Sequence, residues 1–290
     1  MGLFKNQRWE ERYFASYAAV LEQWPISFEE RRIETSFGVT NVMVSGPEDA
    51  YPLVLLHGGG STSTIWFPNI KSLSQSFRTY TIDIIGDFGK SPTENPPESR
   101  QQSADWLCQV LDGLGLQEVH LAGISYGAYL STHFTIHHPG KVQKLVLLSP
   151  AATLQPLSLK FALFTLGTLL FPFRPRWLCR ALIQQNNVTK VHDLLLEQAI
   201  IGIKGVRLAP TALHKVPPVV IEDEEWKMLK IPILLLMGDK EWTCQKPKQA
   251  LERFRRLAVF GEAEMLENAG HVLNADHPKW VNQRIVDFLA

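Results

Sequence analysis

Apolar residues recur along this chain in two rhythms. Between positions 8 and 24, Trp9, Tyr13, Phe14, Tyr17, Val20, Leu21 and Trp24 fall at helical spacing, which predicts an amphipathic helix near the N-terminus. Two extended stretches follow, Arg31–Ser36 and Thr40–Val44, separated by Gly38, and they read as a hairpin. The rhythm then changes. Short runs that are apolar on both faces occur at Leu53–Leu56, Thr79–Ile82, Val119–Ala122, Leu145–Leu148 and Ile233–Met237, each followed by a turn and a helical pattern. Strands buried on both faces belong to a parallel sheet covered by helices. Their alternation with helices predicts a doubly wound α/β domain. The last unit is a strand near Ala263–Leu266 and a helix from about His277 to Phe288, with Asp276 as its N-cap and Pro278 in its first turn.

One segment breaks the alternation. From Ser149 to Lys230 the chain is mostly helical and apolar, with prolines at 156, 172, 175, 210, 217 and 218. It reads as an inserted helical subdomain, so the expected organisation is a core formed by residues 1–149 and 231–290 with a lid over 150–230. Such an insert sits above the C-terminal edge of the sheet, where ligands bind in these folds. The stretch Phe161 to Phe173 is too short to span a bilayer and is expected to be a buried or lid-forming helix. Its Phe161, Leu163, Phe164, Leu166, Leu169, Leu170, Phe171 and Phe173 either pack on the main domain or line an apolar acyl pocket. The run Glu222–Glu225 predicts a helix start at the surface.

Composition narrows the function classes. With 45% hydrophobic and 20% charged residues, the chain can bury a large core. Lys plus Arg equals Asp plus Glu at 29 each, so no overall field attracts nucleic acid or anionic lipid. Cys108, Cys179 and Cys244 are odd in number and far apart, neither a disulfide framework nor a metal-ligand pattern. A reducing, cytoplasmic setting is expected. The charged N-terminus lacks the apolar core of a signal peptide, and Asn6 stands where a myristoylation site wants Ser or Thr.

The strongest chemical signal is Gly123-Ile124-Ser125-Tyr126-Gly127, placed between the strand Val119–Ala122 and a helix expected over Ala128–His137. A G-x-S-x-G turn is sharp and strained, and its glycines avoid collisions with neighbouring backbone. It presents the Ser125 hydroxyl at a helix N-terminus, where free N–H groups favour developing negative charge. The second signal is His57-Gly58-Gly59-Gly60, at the end of an earlier strand. Acyl transfer needs two donors for the oxyanion, one after the nucleophile and one from this loop. That assigns the N–H groups of Tyr126 and Gly59, with Gly60 as the substitute for the latter. A phosphate loop would require a Lys-Ser/Thr ending, which is absent. His57 itself reads as structural.

These motifs together resemble the α/β-hydrolase superfamily from Arg31 onward. Asp83-Ile84-Ile85-Gly86-Asp87-Phe88-Gly89-Lys90-Ser91 is similar to that family's D-x-x-G-x-G-x-S segment, usually structural, but carries one extra residue between the glycines. More narrowly, Ser45-Gly46-Pro47-Glu48-Asp49-Ala50, Trp66-Phe67-Pro68-Asn69-Ile70 and Asn268-Ala269-Gly270-His271-Val272-Leu273 resemble the bacillar carboxylesterase NP group, as does the extra N-terminal helix. The fold implies the chain order Ser, acid, His. His271 lies in the loop beyond the last strand and is the expected general base, whereas His277 heads the final helix. The acid is expected in Gly238-Asp239-Lys240-Glu241, where the family's G-x-x-D pattern points to Glu241, with Asp239 the runner-up or a turn residue bonding its own loop. Cys244 lies nearby, but a Cys nucleophile would need the elbow position that Ser125 holds.

The resemblance implies a carboxylesterase for small to medium esters, using a Ser125–His271–Glu241 triad and an acyl-enzyme, with no metal or organic cofactor. Ser125 argues against dehalogenases and epoxide hydrolases of the superfamily, which use an aspartate there. Amidase, lactonase, thioesterase or carbon–carbon hydrolase chemistry stays open, as does a non-catalytic small-ligand receptor on the same fold.

Overall fold

The computed structural model describes residues 3–170, 190–206 and 215–290. An eight-stranded sheet runs through it: β1 Glu29–Thr35, β2 Gly38–Ser45, β3 Pro52–Leu56, β4 Arg78–Ile82, β5 Val119–Ile124, β6 Val142–Leu148, β7 Ile233–Gly238 and β8 Gly261–Leu266. The spatial order is β1-β2-β4-β3-β5-β6-β7-β8, with β2 antiparallel to both neighbours and the pairs from β4 to β8 parallel. This is the α/β-hydrolase fold. The hairpin forms where Gly38 was expected to turn the chain, with φ 126° at that residue.

Pleating decides what each strand residue covers. In β3, Val54 and Leu56 join the apolar layer on one face, while Leu53 and Leu55 join the other. The first layer packs against α3 Arg100–Gly113, α4 Tyr126–His137 and α8 Pro247–Leu257, through Trp106, Tyr129, Phe134 and Phe254. The second packs against α2 Phe67–Leu73 and α10 Pro278–Leu289, through Ile70, Leu73, Val281 and Ile285. At roughly 25 cal/mol per Å² of apolar area, these two layers supply most of the driving force for folding.

The expected N-terminal helix is α1, Gln7–Leu21, capped by the Asn6 side chain accepting from the Trp9 N–H at 3.1 Å and burying Tyr13, Tyr17 and Val20. Between β6 and β7 the described helices are α5 Leu159–Leu170, α6 Lys190–Gly205 and α7 Asp223–Met228. The acidic run does open α7: the Glu225 side chain accepts from the Glu222 N–H at 3.0 Å. On α5, Leu159 and Leu163 are exposed and Phe161 is half-buried. Positions 171–189 and the side chains of Phe164, Leu166, Leu169 and Leu170 lie outside the described residues, and Cys179 with them.

The start of the last helix is corrected. Asp276 ends a short turn, α9 Leu273–Asp276, and His277 occupies the N-cap position of α10 without a side-chain cap bond. The cause is Pro278, which keeps the preceding residue out of the helical region: His277 has φ −131° and ψ 51°.

Candidate active site

Strand β5 ends at Ile124 and α4 begins at Tyr126, so one residue reverses the chain. That residue is Ser125, at φ 52° and ψ −111°. Such a backbone costs about 1–3 kcal/mol and persists only where its surroundings fix it. Here they do: Ser125 N–H donates to Leu148 O at 2.9 Å, and its carbonyl accepts from Tyr129 and Ala151, both at 3.1 Å. A Cβ at Gly123 would collide with the Gly127 carbonyl, and one at Gly127 with the carbonyls of Leu56 and His57. The expected helix therefore starts two residues earlier than its apolar pattern showed, at Tyr126.

The loop after β3 passes beside this elbow: a Cβ on Gly58 would sit 3.5 Å from the Ser125 Cβ. The fully buried His57 accepts from the Ile84 N–H at Nε2, 2.9 Å, so Nδ1 carries the proton and donates to Gly58 O at 2.7 Å. His57 is therefore held by backbone groups on both ring nitrogens, as a structural residue. The Gly60 N–H is occupied by the Asp87 carboxylate at 3.0 Å, which removes it as the substitute oxyanion donor; among the described residues the Gly59 N–H has no acceptor.

Parallel register brings the remaining groups to the same edge. Ile124 pairs with Leu148, Leu148 with Leu236 and Gly238 with Leu266, so the loops carrying Glu241 and His271 leave beside the elbow. Glu241 is 3% exposed, and its Oε2 accepts from His271 Nδ1 at 2.8 Å, with Oε1 at 3.0 Å. Thr243, which no motif marked, donates to Glu241 Oε1 from both its N–H and its hydroxyl at 2.8 Å. Burial alone would raise the Glu241 carboxyl, but the His271 charge and these hydrogen bonds outweigh it and hold the group below the usual range. With Nδ1–H directed at Glu241, the lone pair of His271 is on Nε2. No hydrogen bond joins His271 to Ser125 in this conformation, which is common for such sites without substrate.

Asp239 is exposed and makes no hydrogen bond to His271. Its carboxylate accepts from the Ala269 N–H at 3.2 Å, bonding the neighbouring loop rather than its own. Burial pushes the Cys244 thiol up to about 11, so it is a neutral thiol facing away from any nucleophilic role. Trp242 stands between the histidine and the α5 segment, its ring 6.5 Å from His271 and 5.6 Å from Phe161. The expected structural role of Asp83–Ser91 is met: Asp83 accepts from the N–H groups of Ser63 at 2.8 Å and Lys90 at 2.9 Å and from the Tyr17 hydroxyl at 3.0 Å.

A strained serine beside a glycine loop and a buried carboxylate–imidazole pair is a constellation shared by many families, and comparison with known proteins identifies which one. The model of the Alpha/beta hydrolase family matches residues 53–284. The chain belongs to this family. Among its relatives this hydrolase is 38% identical, over 96% of its length and 92% of theirs, to a Bacillus subtilis (strain 168) protein called uncharacterized carboxylesterase nap. It is similar to the structure of naproxen esterase (carboxylesterase NP) from Bacillus subtilis, with TM-score 0.90 and 37% identity over 99% of this chain and 100% of that one. Carboxylesterase CesB (YbfK) from the same organism gives TM-score 0.88 and 34% identity over 98% and 99%. The resemblance to the carboxylesterase NP group read from the three short segments thus extends over the whole hydrolase.

Proposed function

We propose that this hydrolase is a serine carboxylesterase acting on small to medium esters. The observation that carries the reading is the buried Glu241–His271 pair, 2.8 Å apart, at the sheet edge that also holds the strained Ser125. Ser125 Oγ attacks the ester carbonyl while His271 Nε2 takes its proton. Glu241 keeps Nδ1 protonated and stabilises the imidazolium that forms. The N–H groups of Gly59 and Tyr126 receive the oxyanion, each worth about 2.7–4 kcal/mol of transition-state stabilisation. His271 then protonates the departing alcohol, leaving an acyl-enzyme on Ser125, and water activated by the same nitrogen releases the acid.

Residues 150–230 act as the lid in this reading, supported by the way their first turn meets the acid loop. The Ser158 N–H donates to Thr243 O at 2.8 Å, and Ser158 Oγ donates to Trp242 O. The aromatic face of Trp242 and Phe161 forms an apolar wall on the His271 side. A reducing cytoplasmic setting belongs to the same reading, supported by free Cys108 and Cys244. Among the described residues no helix is long and apolar enough to cross a membrane.

Rapid mixing with p-nitrophenyl acetate tests the acyl-enzyme. The expected result is a p-nitrophenol burst of about one equivalent per chain before the steady state. A folded protein that binds the ester and releases no p-nitrophenol would overturn the reading in favour of a ligand receptor.

A further inference from the structure

The departure of Asp83–Ser91 from the family spacing has a physical consequence. The extra residue between Gly86 and Gly89 sends two consecutive side chains in different directions. Phe88 packs its ring 5.8 Å from Tyr13 of α1 and against Gly202 of α6. Asp87 turns inward, is 1% exposed, and places its carboxylate on the N–H of Gly60 at 3.0 Å and of Phe88 at 2.9 Å. A buried carboxylate is costly unless it is paired or hydrogen-bonded, and these backbone N–H groups supply the bonds.

The loop it holds has three consecutive glycines, which sample many conformations unless fixed. Two bonds fix it. Asp87 grips the Gly60 N–H, and His57 Nδ1–H grips Gly58 O. A trans peptide keeps its C=O and N–H antiparallel. Orienting Gly58 O therefore orients the Gly59 N–H of the same peptide, and Asp87 locks the peptide that follows. We propose that Asp87 is a positioning residue for the oxyanion hole, clamping the Gly58–Gly60 loop so that the Gly59 N–H faces the reacting carbonyl. Burial raises the Asp87 carboxyl above the usual range, partly offset by His57 and by the Gly60 and Phe88 N–H groups, as expected of a group kept for its bonds.

The proposal rests on the esterase reading, and the test separates the two. Wild type, Asp87→Asn and Asp87→Ala are compared for kcat and KM on p-nitrophenyl acetate and for the rate constant of Ser125 phosphonylation by a fluorophosphonate. Thermal unfolding gives the folded fraction of each variant, and both rates are compared per folded chain. Misplacement of a donor by about 1 Å costs on the order of a hundredfold. The expected result is a kcat about a hundredfold lower for Asp87→Ala, about tenfold lower for the isosteric Asp87→Asn, KM within about twofold, and phosphonylation slowed in step. If Asp87→Ala does not fold, Asp87→Asn decides. An active wild type matched by Asp87→Asn in both rates, or a variant changed in KM alone, would overturn the proposal. An inactive, unlabelled wild type would overturn the esterase reading and the proposal with it.

Discussion

The pair between Glu241 and His271 sets a quantitative expectation for Glu241→Gln. In the proposed mechanism His271 becomes an imidazolium in the transition state, and two unit charges 2.8 Å apart at an effective dielectric near 20 attract by about 6 kcal/mol. Glutamine keeps the shape and loses that attraction. Its amide N–H can also face Nδ1, which would favour the tautomer with the proton on Nε2 and remove the base. At 1.36 kcal/mol per decade, the loss corresponds to about a 10⁴-fold drop in rate, the size seen when a triad carboxylate becomes an amide. The carboxylate is 3% exposed, so solvent screens little of this. The assay is kcat/KM on p-nitrophenyl acetate, with Asp239→Asn as control and thermal unfolding to establish that both variants fold. Asp239 is exposed, and an asparagine amide oxygen can still accept from the Ala269 N–H that Asp239 binds at 3.2 Å, so its change is expected to cost about tenfold or less. A Glu241→Gln enzyme within tenfold of wild type, or an Asp239→Asn enzyme impaired more than it, would refute the assignment of the acid.

Two further outcomes follow from the buried groups. Burial lowers the pKa of His120 to about 4 and of His133 to about 3, with Lys144 and Arg100 adding to the respective shifts. The unfolded chain, titrating near 6.5, binds more protons over that range, so the stability these two contribute is full above pH 6.5 and falls as pH drops toward 4 and 3. Urea unfolding at pH 5 is expected to give about 2 kcal/mol less per histidine than at pH 7.5, and equal stabilities would contradict the burial argument. Separately, Ser125→Gly relieves φ 52° and is expected to raise Tm by a few degrees while abolishing ester turnover. An unchanged or lower Tm in a calorimetric scan would mean that the elbow stores no strain.

Much of this molecule is legible in the sequence because two signals are local. Strands buried on both faces read as apolar runs, which placed β3 to β7, and the G-x-S-x-G turn follows from steric rules at a single residue. What escaped depends on contacts distant in sequence. Asp276 was expected to cap α10, but the chain spends it on α9 because His277, before Pro278, cannot be helical. Nothing in the pattern distinguished Glu241 from Asp239 except spacing. The difference is burial, since one lies inward under His271 and the other reaches across to Ala269. Thr243 lies two residues past the acid with no motif of its own. Asp87 did leave a trace, as the extra residue in a glycine-spaced segment, but its meaning depended on seeing Gly60 27 positions away.

The proposed esterase chemistry depends on Ser125 being an activated nucleophile. Intact-mass measurement of wild type and Ser125→Ala after treatment with a fluorophosphonate tests it most directly. The expected result is a single adduct on wild type, mapped to Ser125, no adduct on the variant, and loss of p-nitrophenyl ester turnover in the variant. A folded wild type that takes no adduct and turns over no ester, or a Ser125→Ala protein labelled and active like wild type, would contradict it.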